Sequence, residues 1–264
     1  MDLMKKWGVL RKALAIVIVL FAVRTVIFIL GYDTVPINPV VGAFITGLLF
    51  TIAVIFTGTF TDFKESEKIA GDMAAAVKAL YNDSIVIPLE DETPLVTMRS
   101  HIRALLDTIN ASFLENNFNP PAINHAMDII TDDIRVLSKL NVAAPTIAKL
   151  RVEMGALDKL VNRVDVIIRT EFIPAAYAAA EVSIATIIVV MLFLDSGQRY
   201  LEGSVIFMFL SLILIALLML IKDMDNPFQF QKGTSADVDI NTLLNLGQYF
   251  EEREARLKKT AKNV

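Results

Sequence analysis

Apolar positions along this chain gather into four long blocks instead of spreading evenly: Ala13–Leu30, Pro39–Phe60, Phe172–Leu194 and Ser204–Ile221. At a rise of ~1.5 Å per residue, even the shortest block reaches roughly 27 Å as a helix, close to the hydrocarbon thickness of a bilayer. The pattern therefore predicts four membrane-spanning helices. The first block is too long for the apolar core of a secretory signal, and no small-residue cleavage site follows it. Gly31–Asn38 and Asp195–Gly203 are short and carry turn formers. The spans are thus expected to pair as two antiparallel hairpins.

Between the hairpins the pattern changes. Residues 62–171 are charged and rich in helix formers, with proline as punctuation. Helices are expected near 62–82, 94–116, 120–140 and 145–171. Thr93 before Pro94 and Asn119 before Pro120 each place a capping side chain ahead of a proline at the first helical position. Ile102, Leu105, Leu106, Ile109 and Phe113 mark one apolar stripe; Ile123, Met127, Ile130, Ile134 and Leu137 mark another. In the last helix, Ile147, Leu150, Met154, Leu157, Val161, Val164 and Ile168 alternate steps of three and four, the spacing of a heptad seam. Such a seam serves bundle packing inside one subunit or an oligomer contact.

Charge orients this arrangement. Lys5, Lys6, Arg11 and Lys12 precede the first span, and its hairpin loop has neither Lys nor Arg. The second hairpin loop has Arg199 alone, whereas Lys222, Arg253, Arg256, Lys258, Lys259 and Lys262 follow the fourth span. The positive-inside rule puts both termini and the middle block in the cytoplasm of a multi-pass protein of the cell membrane. The fold class expected is an all-α polytopic membrane protein, with four transmembrane helices and a cytoplasmic helical bundle inserted between the second and third. Its parts are a first hairpin (1–61), a cytoplasmic domain (62–171), a second hairpin (172–222) and a cytoplasmic tail (223–264), forming one integrated unit. A net charge of −4 gives no sign of nucleic-acid binding.

Chemistry is sparse. The chain has no cysteine, which excludes disulfides and thiolate sites. It shows no HExxH, glycine-rich phosphate loop or GxSxG, and no catalytic residue, metal or cofactor is expected. His125, Asp128 and Asp132 could share a helix face, and read as a solvated acidic surface. Two charges fall inside spans, Arg24 and Glu181. Intramembrane charges are costly and normally pair or face a water-filled path. Estimated depths place these two within reach of each other, either as a structural ion pair or beside an ion path. Span two carries Thr46, Gly47, Thr51, Thr57, Gly58 and Thr61 and no charge before Asp62. Such small residues allow close helix packing or line a pore. Phe50 and Val54, one turn apart, could form apolar rings that gate a pore by dewetting.

Three local segments, in this order, resemble the bestrophin family of pentameric ion channels. They are Asp62-Phe-Lys-Glu-Ser-Glu-Lys-Ile-Ala-Gly71 after span two, Ile173-Pro-Ala-Ala-Tyr177 at span three, and Asp225-Asn-Pro-Phe228 after span four. The resemblance implies structural roles for Pro174, Tyr177, Asn226, Pro227 and Phe228. It also implies a homopentamer whose neck is lined by span two, near Thr46, Phe50, Val54 and Thr57, with Asp62 at the inner exit. Departures exist: Asp62-Phe63-Lys64 replaces the family's Arg-Trp-Trp, and Gln229-Phe-Gln-Lys-Gly233 replaces the acidic run of calcium-gated members. Calcium gating is therefore not expected.

The expected function is an oligomeric, passive channel for monovalent ions, with anions implied by the resemblance, and not an enzyme. Its partners are the lipid bilayer, further copies of itself and the permeating ions, with no nucleic acid. The alternative is a membrane-anchored scaffold or signalling protein whose cytoplasmic helices bind a partner.

Overall fold

The structure is a computed structural model and describes residues 7–169, 174–225, 227–228 and 236–262. The described residues form an all-helical chain. Its elements are α1 (Gly8–Ile29), α2 (Pro39–Ile85), α3 (Thr93–Leu114), α4 (Pro120–Lys139), α5 (Ala144–Arg169), α6 (Pro174–Leu192), α7 (Tyr200–Met224), α8 (Asn241–Leu244) and α9 (Leu246–Lys262). The four expected spans lie in α1, α2, α6 and α7, each long and apolar enough to cross a bilayer. Most of their apolar surface is exposed, with Val19 at 63%, Leu201 at 78% and Ile213 at 60%. Apolar area on this scale belongs in lipid. The protein is a multi-pass membrane protein.

Two boundaries differ from expectation. The second span and the helix after it are one element of 47 residues. No proline lies between Pro39 and Pro88, and a lone glycine such as Gly58 costs a helix only about 1 kcal/mol, so nothing stops α2 at the polar boundary. Helix α3 starts at Thr93, not after it: the Asp91 carboxylate accepts from the Thr93 amide at 2.9 Å, and Pro94 becomes the second helical residue. At α4 the expected cap is present, with Asn119 Oδ1 accepting from the Ala122 amide at 3.2 Å. Asn38 does the same for α2, accepting from the Val41 amide at 2.9 Å.

The chain divides into two compact units. The first comprises Met1–Phe63, Glu171–Pro227 and Gln231–Asp237; the second comprises Lys64–Thr170, Phe228–Phe230 and Val238–Val264. In the first unit, α1 seats on α7 through Ala13, Val17 and Ile215, while Ile52 of α2 joins Ile184, Ile187, Met191, Phe207 and Leu214 in a second cluster. Leu20 of α1 and Ile45, Leu48 and Leu49 of α2 pack against that second cluster. The loop between α1 and α2 meets the loop between α6 and α7: Val35 pairs with Leu194 in an isolated parallel bridge, through Val35 N to Phe193 O at 2.9 Å and Asp195 N to Val35 O at 2.8 Å.

The second unit is a helical bundle whose core contains both predicted stripes. Ile102, Leu105, Leu106, Ile109 and Phe113 of α3 are buried, as are Ile123, Met127, Ile130, Ile134 and Leu137 of α4. The heptad seam of α5 is used inside the chain: Leu150, Met154, Leu157, Val161 and Val164 are buried. The tail helix α9 is anchored by Phe250, which is fully buried and stacks on Tyr81 of α2 with ring centroids 3.9 Å apart. Tyr81 donates to Phe250 O at 3.3 Å or to Glu254 at 3.2 Å, and Tyr249 donates to Asn82 at 3.1 Å. Burial, with the Glu254 carboxylate adding to it, pushes the Tyr81 phenol up to about 12.

Candidate functional site

Helix α2 presents two faces within the first unit. Ile45, Leu48, Leu49 and Ile52 turn to the core. Thr46, Phe50, Val54 and Thr57, spaced at steps of three and four, are exposed on the other side, Phe50 at 71% and Val54 at 56%. The candidate neck residues therefore share one face, and that face is uncovered by the chain's own helices. Asp62 is exposed one turn below Thr57, and the adjoining Phe63 is buried.

The hydroxyls on this helix point their protons inward. Thr46 donates to Gly42 O at 2.8 Å, Thr51 to Gly47 O at 3.1 Å, Thr57 to Ala53 O at 2.8 Å and Thr61 to Thr57 O at 2.9 Å. A hydroxyl has one proton. With it committed to the carbonyl one turn back, each oxygen keeps only acceptor capacity on the exposed face.

Arg24 and Glu181 do not pair. Arg24 is buried and donates from Nη1 to Met191 O and from Nη2 to Ser196 Oγ at 2.8 Å, with its guanidinium 5.2 Å from the centre of the Phe207 ring. Glu181 instead forms an ion pair with Lys222 near the end of α7. The depth estimate failed because α1 begins at Gly8, five residues before the apolar block. Arg24 then stands about 24 Å along its helix, against about 10 Å for Glu181 from Pro174. Arg24 thus reaches the far end of α6, where the last carbonyls of a helix lack partners and carry partial negative charge.

Close packing completes that end of the unit. A Cβ on Gly203 would clash with Ser196 Oγ, lying also 2.9 Å from Ser196 Cβ and 3.3 Å from Arg24 Nη2. Tyr200 donates to Thr25 Oγ1 at 3.0 Å and stacks on Phe28 with centroids 4.0 Å apart. Sequence reasoning missed this cluster, although Ser196 and Gly203 both lie in the turn-rich connection between spans.

No protein-family model matches the chain, and no curated protein matches it by sequence. Solved structures do. A variant of a bacterial bestrophin homologue from Klebsiella pneumoniae superposes with a TM-score of 0.76 at 10% identity, covering 91% of this chain and 97% of that one. A second variant of that homologue gives 0.73 at 12% identity, covering 94% and 98%. A structure described as a membrane protein gives 0.74 at 11%, covering 90% and 95%.

The chain has the bestrophin fold.

On that fold, Pro174 is the first residue of α6 and Tyr177 sits half-buried one turn later. Pro227 is buried, and Phe228 is buried in the second unit, 5.6 Å from the Phe113 ring. Asn226 and Ile173 lie outside the described residues. His125, Asp128 and Asp132 are all exposed on α4, and the described residues hold no group of three side chains able to share a metal ion.

Proposed function

We propose that this bestrophin-fold protein is a passive, homo-oligomeric ion channel of the cell membrane. It works as a pentamer with both termini and the second unit in the cytoplasm. The uncovered α2 face forms the neck, with Thr46, Phe50, Val54 and Thr57 towards the axis and Asp62 at the inner exit. The observation carrying this reading is that face itself: four sequence-selected residues on one side of one helix, left bare by the chain's own helices. In such a neck a ring of apolar Phe50 side chains gates by dewetting. The permeating ion is proposed to be a monovalent anion, by analogy with the family that the sequence segments resemble.

A second reading concerns ion sign. The threonine protons are committed to backbone carbonyls, and Asp62 adds negative charge beyond Thr57. A pathway lined by lone pairs and a carboxylate favours monovalent cations over anions.

Planar-bilayer recording under a salt gradient tests both. Phe50→Ala and Val54→Ala should enlarge the current or alter its selectivity, and the reversal potential of the wild type decides the sign. Silence from correctly assembled protein across voltages and lipid mixtures would reject the channel in favour of a membrane-anchored scaffold.

A further inference from the structure

The second unit contains a groove of about 800 Å³ between α4 and α5 that the ion pathway does not use. These helices are antiparallel neighbours joined by residues 140–143. The groove's charges are sorted by position. Arg135, Ser138 and Arg151 line the end next to that connection; Asn124, Asp128 and Asp158 line the opposite end. Met127, Ile134, Ile147 and Met154 form an apolar floor between them. Arg135 is seven residues from Asp128, and Arg151 seven from Asp158, so the two ends are about 10 Å apart.

Among the described residues Asp128 and Arg151 form no ion pair. Arg135 meets Asp132 at 3.1 Å, with both side chains about two-thirds exposed, a contact weak enough to exchange. Asp158 accepts from Asn162 Nδ2 at 3.2 Å and keeps its second oxygen.

We propose that this groove binds a zwitterion: a small molecule with an ammonium and a carboxylate at opposite ends of an apolar chain. The ammonium donates to the Asp128 and Asp158 carboxylates, both exposed at that end. The carboxylate takes Arg135, Arg151 and the Ser138 hydroxyl. The chain between them lies on the methionines, whose side chains adapt to irregular apolar ligands. The volume falls within the usual range of small-molecule sites. A ligand with one charge satisfies only one end and leaves the other as it is.

The test is isothermal titration of the full chain in lipid nanodiscs, with empty nanodiscs as the blank and ω-aminooctanoic acid as the probe. Saturable binding is expected, weakened about tenfold or more by N-acetylation of the probe and by amidation of its carboxyl, since each removes a set of charge-assisted hydrogen bonds. β-Alanine, too short to touch both ends, should bind at least tenfold more weakly. Arg151→Ala and Asp158→Asn, both at exposed positions, should each lower affinity by a similar factor. No saturable binding, equal binding of the acetylated probe, or full affinity in both variants would overturn the proposal. The readout is heat of binding, so it stands or falls separately from the channel reading.

Discussion

Replacing Phe250 by alanine should release the tail helix while leaving the rest of the protein folded. Phe250 is fully buried and stacked on Tyr81, and truncating such a phenylalanine costs about 3–5 kcal/mol. If that loss falls on local opening of α8 and α9, the open fraction rises by roughly a hundredfold to a few thousandfold, at about 1.4 kcal/mol per tenfold. Tyr81→Phe is the control. It keeps the ring stack and loses a hydroxyl whose hydrogen bonds, at 3.3 and 3.2 Å, are long. About 1 kcal/mol, or roughly fivefold, is expected. Amide hydrogen exchange read by mass spectrometry on peptides covering 241–262 measures both. Protection in those peptides should collapse in Phe250→Ala and fall slightly in Tyr81→Phe, with exchange in α3 and α4 unchanged. Equal losses in the two variants would refute the assignment of the anchor to the stacked ring, and no loss in Phe250→Ala would refute the docking itself.

The same contact gives a pH dependence. The Tyr81 phenol titrates near 10 in an unfolded chain and at about 12 here. A pKa raised by folding contributes stability that is complete below about 10 and disappears as pH climbs towards 12. Tail protection should therefore decline across that window in the wild type and lose this component in Tyr81→Phe. Arg24→Lys keeps the charge and loses the fork that spans Met191 O and Ser196 Oγ; a loss of about 1–2 kcal/mol in a nanodisc melting experiment is expected. Gly203→Ala should destabilise by about 1–3 kcal/mol through its clash with Ser196, and Ser196→Gly in the same chain should recover part of it. By contrast, Arg163→Ala should cost under about 1 kcal/mol. Its two hydrogen bonds to Glu65, both 3.0 Å, hold that carboxyl below its ordinary range, but both side chains are nearly half exposed.

Much of the fold was legible because it rests on local signals. Span positions followed from hydropathy, and the stripes at Ile102–Phe113 and Ile123–Leu137 followed from a period that only one helical face satisfies. Asn119 and Pro120 marked a helix start because both act within one turn. The unread part is long-range. That α1 seats on α7 through Ala13 and Val17 depends on surface shape, which an apolar block does not encode residue by residue: Leu14 and Val17 look alike in sequence, and one is exposed while the other is buried. Arg24 shows how a small local error becomes a large tertiary one. Starting its helix five residues late shortened its reach by about 8 Å, which drew the guanidinium back from the end of α6 towards Glu181, and so to the wrong partner.

The α2 face combines both kinds of information. Sequence selected Thr46, Phe50, Val54 and Thr57 for being small, hydroxyl-bearing or apolar, properties shared by residues that pack helices and residues that line pores. The structure separates these uses in part. Had the residues served packing within the chain, they would face Ile184 and Phe207, as Ile52 does. They face outward instead, which leaves lipid or further copies of the chain as neighbours. Lipid has no use for hydroxyls at successive turns, whereas the proposed aqueous axis would. Replacing Thr46 and Thr57 together by valine is nearly isosteric and removes the oxygens while keeping the helix. If the face lines the pathway, single-channel conductance falls and assembly is unchanged; if lipid covers it, neither changes.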